Sequence, residues 1–199
     1  MNARTARLVI LGAAFLASLV VCVGLVLFLV DRLSAPGAQQ VVAIGGPFQL
    51  IDQDGKPITD QELRGRPFLV FFGFTHCPEI CPTALFEISE VMRALGKDAD
   101  RTRALFITVD PERDTPAVLK DYLSNFDRHL AGLTGDPIAI AGVAKAYRAY
   151  YKKVPLPQGG YTMDHTAIVY LMDKDGRFVS TFKLDRSAEA AAADLRRYL

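Results

Sequence analysis

From Leu8 to Val30 the chain reads LVILGAAFLASLVVCVGLVLFLV, without one charged residue. At about 1.5 Å per residue, a helix of this length spans the roughly 30 Å hydrocarbon core of a bilayer with some tilt. The sequence therefore predicts a single N-terminal transmembrane anchor over residues 8–30. A cleaved signal peptide has an apolar region of only about 7 to 15 residues before its small-x-small site, and this run exceeds that. A lipoprotein signal ending at Cys22 is opposed by bulky Val21 ahead of the thiol and by apolar sequence continuing beyond it. Cys22 then reads as a lipid-facing or packing residue. Arg4 and Arg7 precede the run, whereas Asp31 and Arg32 nearly cancel after it. By the positive-inside rule residues 1–7 form a cytoplasmic tail and the rest is exported, to the periplasm or the equivalent outer face of the membrane.

Residues 31–47 include SAPGAQQVVAIGGP, a mixture of Pro, Gly, Gln and small residues without helical period, and read as a tether. What remains, residues 48–199, suits one globular domain. The formal net charge is +1 and the basic residues are scattered, so no surface that tracks a phosphate backbone is expected and nucleic acid is excluded as a partner.

Within the domain, FQLIDQDGKPIT carries a hairpin signal at Asp54-Gly55, followed by a polar turn over residues 60–65. Phe68 to Phe74 is an apolar run broken only by Gly73, which suits a central strand buried on both faces. The period then changes: Leu85, Ile88, Val91, Met92 and Leu95 share a helical face, and Gly96 ends it. A second strand, ALFITV, ends at Asp110, and Thr115-Pro116 opens a helix. Asp136-Pro137 caps a third helix to about Tyr150, and residues 155–160 read as an exposed loop. TAIVYLM and RFVSTFKL form a second hairpin across 173–176, and Ser187 to Leu199 is an Ala-rich closing helix. This order predicts an α/β fold, a thioredoxin-like mixed sheet flanked by helices with an N-terminal hairpin. Strand ends carry function in such sheets, so the cysteine loop, Asp110 and the residues before Thr166 are expected to meet at one edge.

Two of the three cysteines, Cys77 and Cys81, stand between the buried run and the helix that follows it. Outside the cytoplasm a structural disulfide is the ordinary reading of such a pair. A bond closing so small a loop would, however, constrain little chain entropy. At a helix N-terminus the dipole favours anions, which predicts lowered thiol pKa values and reactive thiolates, the species needed for both redox exchange and metal binding. His165 stands in a polar stretch just before TAIVYLM, while His76 and His129 are not expected to be ligands. Two thiolates and an imidazole form a soft site that suits Cu(I) through sulfur and Cu(II) with nitrogen added; zinc competes but usually takes four protein ligands in a structural site. Asp110 and Asp164 are candidates to orient His165, to lend a weak oxygen ligand or merely to cap turns.

The blocks FFGFTHCPEICPTAL, VDPERDTPAVLKDYL, GLTGDPIAIAGVAKAY and MDHTAIVYLMDKDGRF together resemble the Sco/SenC proteins, over most of residues 68–178. The resemblance implies a thioredoxin-like domain that binds one copper ion through Cys77, Cys81 and His165. It further implies a part in assembling the binuclear copper centre of cytochrome c oxidase. The partners implied are the copper-binding oxidase subunit and an upstream copper donor or thiol reductant. Members of the family are variously regarded as copper donors, as thiol reductants acting on the oxidase cysteines, and as redox sensors. A thiol-disulfide oxidoreductase using Cys77 and Cys81 through a reversible disulfide therefore stands as the alternative to a metallochaperone.

Overall fold

The structure, a computed structural model, describes residues 3–33 and 43–199, which fall into two units. In the first, helix α1 runs Ala3–Leu33, beyond both ends of the expected 8–30 span. Its segment Gly12–Val30 has a mean hydropathy of 2.9 and is long and apolar enough to cross a membrane. Most of the expected tether, residues 34–42, lies outside the described residues.

The second unit begins with strands β1 (Gln49–Asp52) and β2 (Pro57–Thr59), paired antiparallel. Their turn works as the sequence suggests: Gly55 takes a φ of 79°, and the Asp52 carboxylate accepts the amides of Asp54 at 2.9 Å and Lys56 at 2.8 Å. After a short 3₁₀ turn, Asp60–Leu63, comes β3 (Phe68–Gly73), every residue of which is buried. Helix α2 (Ile80–Leu95) follows, and the apolar face read from its period, Leu85, Ile88, Val91, Met92 and Leu95, is buried throughout. Each such side chain contributes about 1.5–3 kcal/mol by leaving water. Strand β4 (Arg103–Thr108) leads to α3 (Pro116–Leu123), β5 (Leu130–Thr134) and α4 (Pro137–Tyr147). Thr115 and Asp136 cap the two helices by accepting the amides of Val118 and Ala139, and each is followed by proline at the first helical position.

Two features differ from the sequence expectation. The sequence pattern assigns no element to residues 130–134, yet β5 forms there and pairs in parallel with β4. Helix α4 stops at Tyr147, where Arg148 adopts a left-handed φ of 55°, short of Tyr150. The released chain forms β6 (Tyr151–Pro155) and β7 (Tyr161–His165), an antiparallel ribbon that forms its own sheet. The Pro- and Gly-rich residues expected as a loop are its turn. The domain closes with β8 (Val169–Met172), β9 (Phe178–Phe182) and α5 (Ala188–Arg196), the last packed against α2.

The main sheet has the order β2-β1-β5-β4-β3-β8-β9. Its centre, β5-β4-β3, is parallel, while β1 and β8 join it antiparallel. The mixed, thioredoxin-like sheet expected from element order is thus present, and β3 occupies an interior position where both its faces are covered.

Candidate metal centre

The site is built where β3 ends. Gly73 is its last residue, and a Cβ there would fall 2.5 Å from Phe106 Cε2 and 2.8 Å from Cys81 Sγ. The missing side chain is what lets the Cys81 sulfur lie against the strand. Beyond Gly73 the chain turns through Phe74 to Glu79 into α2, and the Cys77 amide donates to Phe74 O at 3.2 Å. The Cys81 amide in the first turn of α2 donates to Cys77 Sγ at 3.2 Å, so one sulfur satisfies an orphan N–H of the helix carrying the other. Asp114, 0% exposed, pins this loop from below. Its carboxylate accepts from the Thr75 amide at 3.0 Å, Thr75 Oγ1 at 2.6 Å and Thr108 Oγ1 at 2.6 Å.

His165 arrives from the other direction, as the last residue of β7. Its Nδ1 is 3.1 Å from Thr166 O. A carbonyl only accepts, so Nδ1 carries the proton and Nε2 presents a lone pair. Nε2 lies 3.5 Å from Cys81 Sγ. The ring stands edge-on to Phe71 and Phe74, with centroids 6.1 and 5.8 Å away. Cys77, Cys81 and His165 thus place one donor atom each within 4.8 Å of one another. Cys77 and His165 line an open depression of about 490 Å³ with Met163, Asp164 and Tyr150, whereas Cys81 is not part of its wall.

The electrostatics correct one expectation. The helix N-terminus was expected to lower the thiol pKa values, yet burial pushes Cys81 well above the ordinary thiol range. Its sulfur is 0% exposed, and at that depth the cost of removing water from a thiolate exceeds what the helix end returns. Burial likewise holds His165 below the usual imidazole value, which keeps the ring neutral, with the Nε2 lone pair turned toward Cys81 Sγ. Two sulfurs and one neutral imidazole nitrogen fit a soft or borderline metal ion.

The remaining candidates are placed as follows. Asp110 is 1% exposed but its carboxylate faces Arg113 and Tyr161: it pairs with Arg113 Nε and accepts from Tyr161 Oη at 2.9 Å. Asp164 is exposed beside the depression, and the His165 ring donates from Nδ1 to Thr166 O instead. His76 is exposed, with Nδ1 against Thr75 Oγ1. His129 sits between Asp127 and Asp100 at the opposite end of β4. Cys22 is exposed on α1. Sequence reasoning missed Asp114, Arg113 and Tyr161. The first two lay within a quoted block, but their partners come from distant parts of the chain.

The SCO1/SenC family model matches residues 36–199. The chain is 43% identical over 150 residues to an SCO2-like protein of Rickettsia prowazekii, covering 74% of this chain and 73% of that protein. Among solved structures, ScoI of Bradyrhizobium japonicum, with copper bound, is 68% identical with a TM-score of 0.77, over 79% of this chain and all of that one. Yeast Sco1, also with copper bound, is 36% identical with a TM-score of 0.72, over 78% of this chain and 88% of that one. The chain belongs to the SCO1/SenC family.

Proposed function

We propose that this chain is a membrane-anchored copper chaperone. It holds one copper ion through Cys77 Sγ, Cys81 Sγ and His165 Nε2 and serves the assembly of the binuclear copper centre of cytochrome c oxidase. The observation that carries the reading is the convergence of two sulfurs and one imidazole nitrogen within 4.8 Å, from elements that no shared local motif would bring together. Two sulfurs suit Cu(I), and the added nitrogen extends the set to Cu(II). The copper bound in ScoI and in yeast Sco1 supports copper as the cargo, and family membership supports the oxidase as its destination. The site opens on a depression at the surface, as exchange with a partner protein requires.

The domain division of this reading is residues 1–7 inside, 8–30 in the membrane, 31–47 as tether and 48–199 as the copper-binding domain. The length and hydropathy of Gly12–Val30 support the anchor, and Arg4 and Arg7 support an outward-facing domain.

The test measures metal content of the full chain in detergent, with thiols reduced. About one equivalent of copper is expected for the wild type, and none for Cys77→Ser or Cys81→Ser, since a metal-ligating cysteine must be a thiolate. His165→Ala should lose Cu(II) while keeping some Cu(I), and His76→Ala and His129→Ala should bind as the wild type does. If His165→Ala also supports normal oxidase assembly at low copper, the three-ligand chaperone is wrong. The thiol-disulfide oxidoreductase then takes its place.

A further inference from the structure

The ribbon β6–β7 carries His165 but pairs with no strand of the main sheet. What ties its turn end to the domain is a small group of side chains centred on Arg113. Arg113 Nη1 donates to Tyr161 O at 3.0 Å, its guanidinium lies 3.9 Å over the Tyr161 ring, and its Nε pairs with Asp110. Tyr161 Oη closes the circuit by donating to Asp110 Oδ1 at 2.9 Å. On the outer side Lys153 Nζ lies 4.1 Å from the Tyr161 ring centroid and pairs with Glu112 at 2.7 Å, an exposed arrangement of the kind worth little.

Asp110 and Arg113 belong to a single turn, in which the amides of Arg113 and Asp114 both donate to Asp110 O, at 3.2 and 2.9 Å. That same turn holds Asp114, the carboxylate that fastens Thr75, two residues before Cys77. One end of a five-residue turn therefore grips the thiol loop and the other grips the ribbon that ends in His165. Arg113 Nη2 is buried with no hydrogen-bond partner among the described residues. An unmet buried donor costs stability, which argues that the guanidinium is kept for where it puts the ribbon.

We propose that the turn Asp110–Asp114 sets the spacing between the two sulfurs and the imidazole, with Arg113 as the positioning residue for His165. This rests on the copper-site reading above. The sulfurs are fixed by β3 and α2 whether or not Arg113 is present. The histidine is fixed only as well as its ribbon is. The Arg113 guanidinium also lies 5.9 Å from the Phe74 ring, but its polar bonds go to Tyr161 O and Asp110, so its loss falls on the nitrogen ligand.

The experiment uses the full chain in detergent, reduced, with Cu(I) and Cu(II) affinities measured separately for Arg113→Met, Tyr161→Phe, Lys153→Met and His165→Ala. Arg113→Met should weaken Cu(II) binding by about 10- to 100-fold, as the loss of a group that orients a ligand does, with Cu(I) binding unchanged. Tyr161→Phe, which removes only one hydroxyl, should show a smaller loss in the same direction. It decides the matter if Arg113→Met does not fold. Lys153→Met should match the wild type. Adding Arg113→Met to His165→Ala should cost nothing further, because the ligand being positioned is already gone. Equal loss of both copper forms, or a further loss on top of His165→Ala, would overturn the proposal. A readout without copper separates it from the function: the proton NMR signals of the His165 ring in metal-free protein should shift and sharpen in Arg113→Met as the ring gains motion. A wild type that binds no copper sinks the proposed function, while an unchanged His165 signal in Arg113→Met sinks the positioning role whichever way copper falls.

Discussion

Cys77 and Cys81 hang from a strand whose six residues are all buried and from a helix whose apolar face is wholly covered. His165 closes a two-stranded ribbon whose partner strand, β6, has no fully buried residue. The sulfurs inherit the rigidity of the core. The nitrogen depends on a ribbon that sends one buried side chain, Met163, into that core, together with a few polar fasteners and two aromatic neighbours. The free energy that positions the two kinds of ligand is thus stored in different places, and a change that damages one half need not reach the other.

The strongest way to break this contrast is Asp114→Ala. It leaves the part-buried Thr75 amide and hydroxyl and the buried Thr108 hydroxyl without their acceptor. A stranded group costs about 1–3 kcal/mol when fully buried and less when partly so. Denaturant unfolding should show a loss of about 3 kcal/mol or more. If the loss is no larger than that of Tyr161→Phe, the thiol half is not the anchored one. An intermediate effect is expected in hydrogen exchange, where amides of β6 and β7 should exchange through local opening well before those of β3, which should open only with the whole domain. Equal protection of the ribbon and the central strand would erase the distinction.

The smallest effect lies far from both halves. Asp173 follows Met172, which pairs with Phe68 at the end of β3 away from the cysteines. Burial works to raise its carboxyl, but the amides of Arg177 and Asp175 and the Arg177 side chain hold it below its ordinary 3.8. A carboxyl depressed in the folded state adds stability above its unfolded value, and loses it as pH falls through the folded one. Asp173→Asn should therefore flatten the stability profile below about pH 4, cost about 1 kcal/mol at neutral pH and leave copper binding untouched. Lost copper affinity would mean that the far end of the sheet is coupled to the site.

The same contrast explains what could be read in advance. The thiol half is contiguous: the run Phe68–Phe74, the cysteines and the period of α2 follow one another, so pattern alone located them. Strand β5 escaped because LAGLT is short and carries Gly132. No side chain fits there, since a Cβ would come within 2.7 Å of Leu123 Cδ1 on α3. The ribbon escaped because Lys152 and Lys153 are exposed and its turn, with Pro155, Gly159 and Gly160, has loop composition. His165 was found by its surroundings and the family resemblance, but its support was not. Arg113 and Tyr161 are 48 residues apart, and Asp114 and Thr75 are 39 apart, separations at which local periodicity is silent. The pKa of Cys81 was misjudged for a related reason. The helix dipole is local and visible in sequence, whereas depth of burial belongs to the whole fold.

The empty space above Gly73 has one more consequence. Because the Cys81 sulfur fills it, that donor is walled in by Phe106 and the strand backbone, while Cys77, 8% exposed, and His165 line the depression. The site thus has a front and a back. A molecule entering from solvent meets one sulfur and the imidazole at the threshold and finds the second sulfur behind them, so arrival and departure share a single doorway and a fixed order of encounter.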